Sequence, residues 1–93
     1  MNLEKFLPIG TVVVLKDAKK RIMITGYCCS SEKNPDVIFD YNGCMYPEGL
    51  LSSSQNLLFN HDQILKIYHL GYQDEESKDF RNKLKEFMDN LSK

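Results

Sequence analysis

All five glycines and all three prolines of this 93-residue chain lie before residue 74, and the stretch from Asp74 to Lys93 contains neither. Glycine and proline punctuate a chain into short pieces joined by turns, whereas a long stretch without them can run as one helix. In that last stretch Phe80, Leu84, Phe87, Met88 and Leu91 recur at i, i+4, i+7, i+8 and i+11, which is one face of an α-helix. Asp74, Glu75 and Glu76 cluster at its start, where the helix dipole favours negative charge. The spacing predicts a helix over about 74–91. Its stripe of Phe80, Leu84 and Phe87 is expected to face either the rest of the fold or a partner, including a second copy of the chain.

The punctuated part reads as β-structure. Thr11-Val12-Val13-Val14-Leu15 is short and β-branched, which favours a strand. The polar run Lys16 to Lys20 turns the chain into Arg21–Tyr27, where Ile22 and Ile24 alternate with Met23 and Thr25 as in a half-buried partner strand. After the polar loop Ser30–Pro35, Asp36–Tyr41 is a third strand. Asn42-Gly43 then carries the residues of a tight type I′ hairpin turn, leading into a fourth strand at Cys44-Met45-Tyr46. Tyr46-Pro47-Glu48-Gly49 fits a reverse turn. A serine-rich loop over Leu50–Asn56, a short apolar segment Leu57-Leu58-Phe59, a helical turn with capping-box spacing at Asn60–Gln63 and a last strand at Ile64–Leu70 complete the pattern. The expected fold is α+β, one domain over residues 1–93. It is a small bent antiparallel sheet or SH3-like barrel of about five strands, over about 9–72, with the C-terminal helix packed on an open side.

Composition narrows the function classes. Ten residues are Phe or Tyr and 42% are hydrophobic, so wholesale disorder is excluded. No apolar run reaches the roughly 18–20 residues of a membrane span, and Glu4 and Lys5 interrupt the place of a signal sequence. Twelve basic against thirteen acidic residues leave a net charge of −1, without the broad positive field of a nucleic-acid binder. Lys16, Lys19, Lys20 and Arg21 read as a solvated hairpin tip. Cys28, Cys29 and Cys44 are odd in number and form no C-x-x-C, which points to free thiols in a cytoplasmic protein.

The chemistry-bearing residues do not assemble into a recognisable set. His61 and His69 lack the further ligands a zinc site needs and read as surface or capping histidines. Ser52, Ser53 and Ser54 lie in no nucleophile elbow, and no glycine-rich phosphate loop is present. No catalytic residue, metal or other cofactor is expected. The rings Tyr41, Tyr46, Phe59, Tyr68 and Tyr72 have two readings: they line the small core, or one or two of them stand exposed as interface rings, the tyrosines combining apolar area with a polar tip. The ribbon from Tyr41 to Gly49, with Tyr41, Asn42, Gly43, Tyr46, Pro47 and Glu48, is expected to form a partner-binding sheet edge. Tyr72-x-x-x-Glu76 also resembles the short tyrosine/acidic tag of type VII secretion substrates, a spacing that five tyrosines and thirteen acidic residues produce about once by chance.

Four stretches in order carry a family resemblance. They are Phe6-Leu7-Pro8-Ile9-Gly10-Thr11-Val12-Val13, Arg21-Ile22-Met23-Ile24-Thr25-Gly26, Asp40-Tyr41-Asn42-Gly43-Cys44-Met45-Tyr46-Pro47-Glu48-Gly49, and Leu58-Phe59-Asn60-His61 with Ile64 and Gly71-Tyr72. Together they resemble the small bacterial family catalogued as domain of unknown function 4176, over roughly residues 6–76. Such genes typically lie in Gram-positive bacteria beside type VIIb secretion components and LXG-domain toxins. The resemblance therefore implies a cytoplasmic accessory or targeting protein that binds an LXG-type toxin before export, and it supplies no catalytic residues. The alternatives are an immunity protein that neutralises a toxin and a nucleic-acid-binding small barrel, the latter disfavoured by charge.

Overall fold

The computed structural model describes residues 6–30, 33, 35–52 and 56–91. The expected lead-in before residue 6, part of the 30–35 loop and residues 53–55 of the serine-rich loop, Ser53 and Ser54 among them, lie outside the described residues. Five strands form one sheet: β1 (Val12–Leu15), β2 (Arg21–Cys29), β3 (Phe39–Met45), β4 (Leu57–Phe59) and β5 (Ile64–His69). Their order is β4-β3-β2-β1-β5, and each neighbouring pair is antiparallel. One helix follows, α1 (Glu75–Leu91). The α+β expectation stands, as an open sheet and not a closed barrel, with β4 and β5 at its edges.

The expected hairpin turn at Asn42-Gly43 does not form. Both residues lie inside β3, where Asn42 pairs with Gly26 and Leu58, and Gly43 with Ile24 and Leu57. The two strands expected on either side are therefore one. Gly43 is needed for close approach and not for a turn. A Cβ there would sit 2.6 Å from Ile22 Cγ2, 2.9 Å from the Met23 carbonyl oxygen and 3.1 Å from Phe59 Cε1. The chain reverses at Tyr46–Gly49 instead, through a cis Tyr46–Pro47 bond, Gly49 at φ +78° and a Gly49 N–H to Met45 carbonyl bond of 2.8 Å. Leu57–Phe59, expected only as an apolar segment, restores the strand count by pairing with β3 as β4.

A bulge sets the faces of β2. Ile24 pairs with Gly43, but Gly26 pairs with the very next residue back along β3, Asn42, so Thr25 is an extra residue in the ladder. Strict alternation would send Ile24 and Tyr27 to opposite faces, and the bulge brings both to the core side. The core there holds Val13, Ile22, Ile24, Tyr41, Phe59 and Ile64, with Phe6, Leu7, Leu15, Tyr27, Leu57 and Ile67 against it. Val12 and Val14 on the opposite face of β1 are buried too, consistent with an unbroken valine run in a strand paired on both sides.

The chain ends of this unit are stitched together. Gly71 N–H donates to the buried Thr11 hydroxyl at 3.1 Å, and a Cβ on Gly71 would fall 2.0 Å from the Ile9 carbonyl oxygen. Only glycine allows that crossing. The helix begins where its acidic cluster predicts, with Asp74 Oδ1 accepting the Ser77 N–H at 2.8 Å. It leans mainly on β2. Leu84 is half-buried, whereas Phe80 and Phe87 remain 54% and 48% exposed. The stripe thus serves the sheet and solvent at once.

Replacing Gly43 with alanine forces a methyl group against Ile22 and Phe59. Overpacking of this kind costs about 1–3 kcal/mol, and a thermal melt of Gly43→Ala should show a matching fall. An unchanged melting temperature would contradict the crowding around Gly43.

Candidate protein-docking surface

The ribbon expected to be a docking edge is divided between core and surface. β3 pairs with β2 along its length and with β4 over Tyr41, Asn42 and Gly43, so the middle of the ribbon is no open edge. Tyr41 is fully buried and Gly43 is buried beside it. The Asn42 amide nitrogen reaches the Thr25 hydroxyl at 3.3 Å. Only Tyr46, Pro47 and Glu48 of the expected set are exposed, on the turn after β3. There Glu48 pairs with Lys20 at 2.6 Å, which holds its carboxyl below the usual range. The register flanks Val14 with Arg21 and Lys66 on the two neighbouring strands. The Arg21 guanidinium lies 5.1 Å from the Tyr46 ring centre and 5.9 Å from that of Tyr68, and the Lys66 ammonium lies 4.7 Å from Tyr68.

Tyr41 instead organises the interior. Its hydroxyl accepts the Leu7 N–H at 3.1 Å and lies 2.6 Å from His61 Nδ1. Tyr27 donates to the Leu7 carbonyl at 2.5 Å. The rings of Phe59, Tyr41, Tyr27 and Phe80 follow one another at centroid distances of 5.3, 6.0 and 6.2 Å, from β4 to the helix. Phe6 meets both tyrosines edge-on, 5.5 Å from Tyr27 and 5.7 Å from Tyr41. Burial pushes the Tyr41 phenol far above its ordinary range, outweighing the bond from Leu7.

His61 is buried, not a surface histidine as its turn position suggests. Its backbone N–H donates to Asp40 Oδ2 at 2.9 Å, and the Asn60 side-chain oxygen accepts the Asp40 N–H at 3.0 Å. Asn60 N–H in turn donates to Gln63 Oε1 at 2.7 Å, closing the short 3-10 turn His61–Gln63. The direction of the phenol–Nδ1 bond goes with the imidazole tautomer, and the other ring nitrogen is Nε2. That atom is buried without a partner among the described residues. Burial lowers the His61 pKa, and Asp40 pulls it partly back. The pair is thus held as neutral phenol and neutral imidazole, the phenol inside the sheet and His61 also on the wall of a small pocket with Lys16, Asp62, Ile64 and Leu65. His69 is exposed on β5. Cys44 is buried, and burial raises the Cys28 thiol, with Asp40 and Cys29 adding to it, so the thiolate is disfavoured there. Among the described residues no three of His, Cys, Asp and Glu are grouped as metal ligands, and no helix is long and apolar enough to cross a membrane.

The surface best formed for a partner lies along α1. A groove of about 940 Å³ runs between the helix and the far end of β2, walled by Ile9, Tyr27, Tyr72, Phe80 and Leu84. Ile9 is 48% exposed and Tyr72 80% exposed. Of the stripe residues expected as an alternative surface, Phe80 and Leu84 line this groove, and half-exposed Phe87 lies one to two turns beyond Phe80 on the same helix. The helix is secured by Arg81, whose guanidinium bonds the Phe6 carbonyl at 3.0 Å, Gln73 Oε1 at 3.2 Å and the Ser77 carbonyl at 3.3 Å. Sequence reasoning passed over Ile9, Tyr27 and Arg81. Arg81 did carry a signal: it stands at i, i+3, i+7 with Leu84 and Met88, a cation on the apolar face.

Comparison with known families matches residues 6–80 to the family described as Domain of unknown function (DUF4176). The chain belongs to the DUF4176 family. The match takes in all five strands and the first turns of the helix through Phe80, so the groove's walls up to that ring lie within the DUF4176 domain. No curated protein and no solved structure matches this chain.

Two measurements test the buried pair. Tyr41→Phe strands the Leu7 N–H and His61 Nδ1, which should cost about 1–3 kcal/mol at neutral pH. An unfolded histidine titrates near pH ~6.5, and the folded His61 lies lower, so the unfolded state binds more protons in between. Stability should therefore be complete above about pH 6.5 and fall as the pH drops toward the folded pKa. His61→Gln should flatten that part of the melting temperature against pH. An equal slope in both proteins would place the proton uptake elsewhere.

Proposed function

We propose that this protein is a non-enzymatic accessory or targeting factor that binds an LXG-type toxin for type VII secretion in the cytoplasm. The observation that carries the docking role is the groove along α1: apolar walls and half-exposed rings on a domain whose catalytic-type side chains are dispersed or buried. The toxin as partner rests on the sequence resemblance described above, with its type VIIb gene setting. Exposed rings beside a concave apolar surface are the material of interface hot spots. The export-tag-like Tyr72 and Glu76 both line the groove, so a partner seated there would cover them.

An acidic rim of Asp74, Glu76 and Asp79 on the same groove favours one second reading, an immunity protein that seats a basic toxin surface. Mixing purified toxin with this protein separates the two. A complex that keeps toxin activity supports the accessory role, and loss of activity on binding supports immunity. No binding at all removes both.

The same assay locates the surface. Phe80 is half exposed, so Phe80→Ala should cost only about 1 kcal/mol of stability while weakening toxin binding by about 2 kcal/mol, as for a hot-spot ring. Tyr46→Ala, on the separate turn after β3, should leave affinity unchanged if the groove is the site. The opposite pattern would move docking to the Arg21–Tyr46–Tyr68 face.

A further inference from the structure

We infer that the sheet face opposite the core, around Arg21 and Lys66, docks an acidic segment of a protein partner, whose carboxylates meet the two cations while its chain lies over Tyr46 and Tyr68. This goes beyond the docking role proposed above and uses a different surface, on β1, β2 and β5 instead of α1.

The register assembles this face. Val14 pairs with Arg21 on β2 and with Lys66 on β5, and directly paired residues point to the same side of a sheet. Val13 and Ile22, one position along, point into the core, so Arg21 and Lys66 stand on the other side. Val12 and Val14 are only 6% exposed there, and long stems beside them suit that burial while the charged heads stay in water. Both cationic residues are exposed. Covering valines calls for stems. It does not call for two heads of one sign gathered on one ring.

Charge selects the class of occupant. The Arg21 guanidinium and the Lys66 ammonium lie 5.9 Å and 4.7 Å from the same Tyr68 ring centre. Among the described residues neither head has an ion pair, and their printed partners are rings alone. Glu48, on the turn after β3, is taken by Lys20 at 2.6 Å. Lys20, Arg21 and Lys66 against Glu48 leave two cations unmatched, on a chain whose net charge is −1. Like charges held together repel, and an anion seated between them turns that repulsion into attraction.

The rings favour a carboxylate over a nucleic-acid strand. Single-stranded nucleic acid stacks its bases on open ring faces along a cationic track. Here the rings carry the cations, with Arg21 over both Tyr46 and Tyr68 and Lys66 over Tyr68. A guanidinium laid against rings keeps the N–H fork at its edge, and that fork matches the two oxygens of a carboxylate. Tyr46 and Tyr68, 38% and 50% exposed, add amphipathic contact area beside the charges. Two unmatched cations suit a short acidic segment better than a run of phosphates.

The test uses the whole chain and three labelled probes: a ten-residue peptide alternating glutamate with glycine, its glutamine counterpart, and a ten-nucleotide oligothymidylate. Fluorescence anisotropy at low salt should show the glutamate peptide binding roughly tenfold more tightly than the glutamine peptide, with the difference shrinking as salt is added. Arg21→Gln with Lys66→Gln should remove that preference. Glu48→Gln frees Lys20 and should strengthen binding of the glutamate peptide about threefold, the scale of one exposed ion pair. Arg21→Lys keeps the charge and loses the fork, so it should still weaken binding. Each variant is first shown folded by circular dichroism. Amide shifts on adding the glutamate peptide should centre on Val14, Arg21, Lys66 and Tyr68. Equal binding of the two peptides, or a preference that survives Arg21→Gln with Lys66→Gln, would overturn the inference. So would its loss in Lys16→Gln with Lys19→Gln, which would place the anion on the hairpin tip. Tighter binding of the oligothymidylate would give the face to nucleic acid. A concentration-dependent assembly lost in the Arg21 and Lys66 variant would seat a second copy there. Loss of peptide binding in Phe80→Ala would move the site to the groove. Each of these three outcomes also overturns the inference.

Discussion

A phenol without access to water stands in the middle of this sheet, and much of the surrounding structure serves to satisfy it. An unsatisfied buried hydroxyl costs about 1–3 kcal/mol, a large part of the margin of a domain this small. Tyr41 meets that cost with partners from two distant places, the Leu7 amide before β1 and the His61 ring after β4. Each is itself held by another bond, Leu7 by Tyr27 and His61 by Asp40. One side chain on β3 thereby fixes where the chain enters the sheet and where it turns from β4 into β5. The Tyr41 ring also joins Phe59 to Tyr27 and so reaches the helix through Phe80.

The helix stands in a different relation to the sheet. Its firm attachment is polar, through Arg81 to the Phe6 carbonyl and Gln73, while its apolar stripe is only partly covered. The chain has two arginines, and each is placed against neutral partners: Arg81 on carbonyl and amide oxygens, Arg21 on the rings of Tyr46 and Tyr68. A planar guanidinium suits both uses, since it offers donors in a fixed fork and a flat face for stacking. The result is a sheet closed internally by hydrogen bonds and a helix that keeps apolar area in reserve.

What could be read from the residue order was what depends on local periodicity and turn chemistry. The β1–β2 pairing, the strand at Ile64, the turn at Tyr46–Gly49 and the start of the helix follow from patterns a few residues long. Asn42-Gly43 misled because the same dipeptide serves two ends. Positive φ and absence of a Cβ are both properties of glycine, and it was the crowding by Ile22 and Phe59, residues distant in sequence, that called for it. The burial of His61, and which of the tyrosines would line the core, turn on segments some twenty or more residues away. Of the docking surface, the stripe of Phe80, Leu84 and Phe87 was legible, but Tyr27 reaches the groove only because the bulge has turned β2, and Ile9 comes to it from the segment before β1.

That extra residue in β2 makes the domain sensitive to length in a way it is not to composition. Thr25 is exposed, and its hydroxyl makes only surface bonds to Asn42, so many side chains can stand there. Its removal is another matter. A ladder one residue shorter would be more regular, yet Tyr27 would pass to the opposite face, away from the Leu7 carbonyl, Phe6 and Phe80. Drift by substitution can proceed freely at this position, while an insertion or deletion between Ile24 and Tyr27 would uncouple the sheet from its helix in a single step.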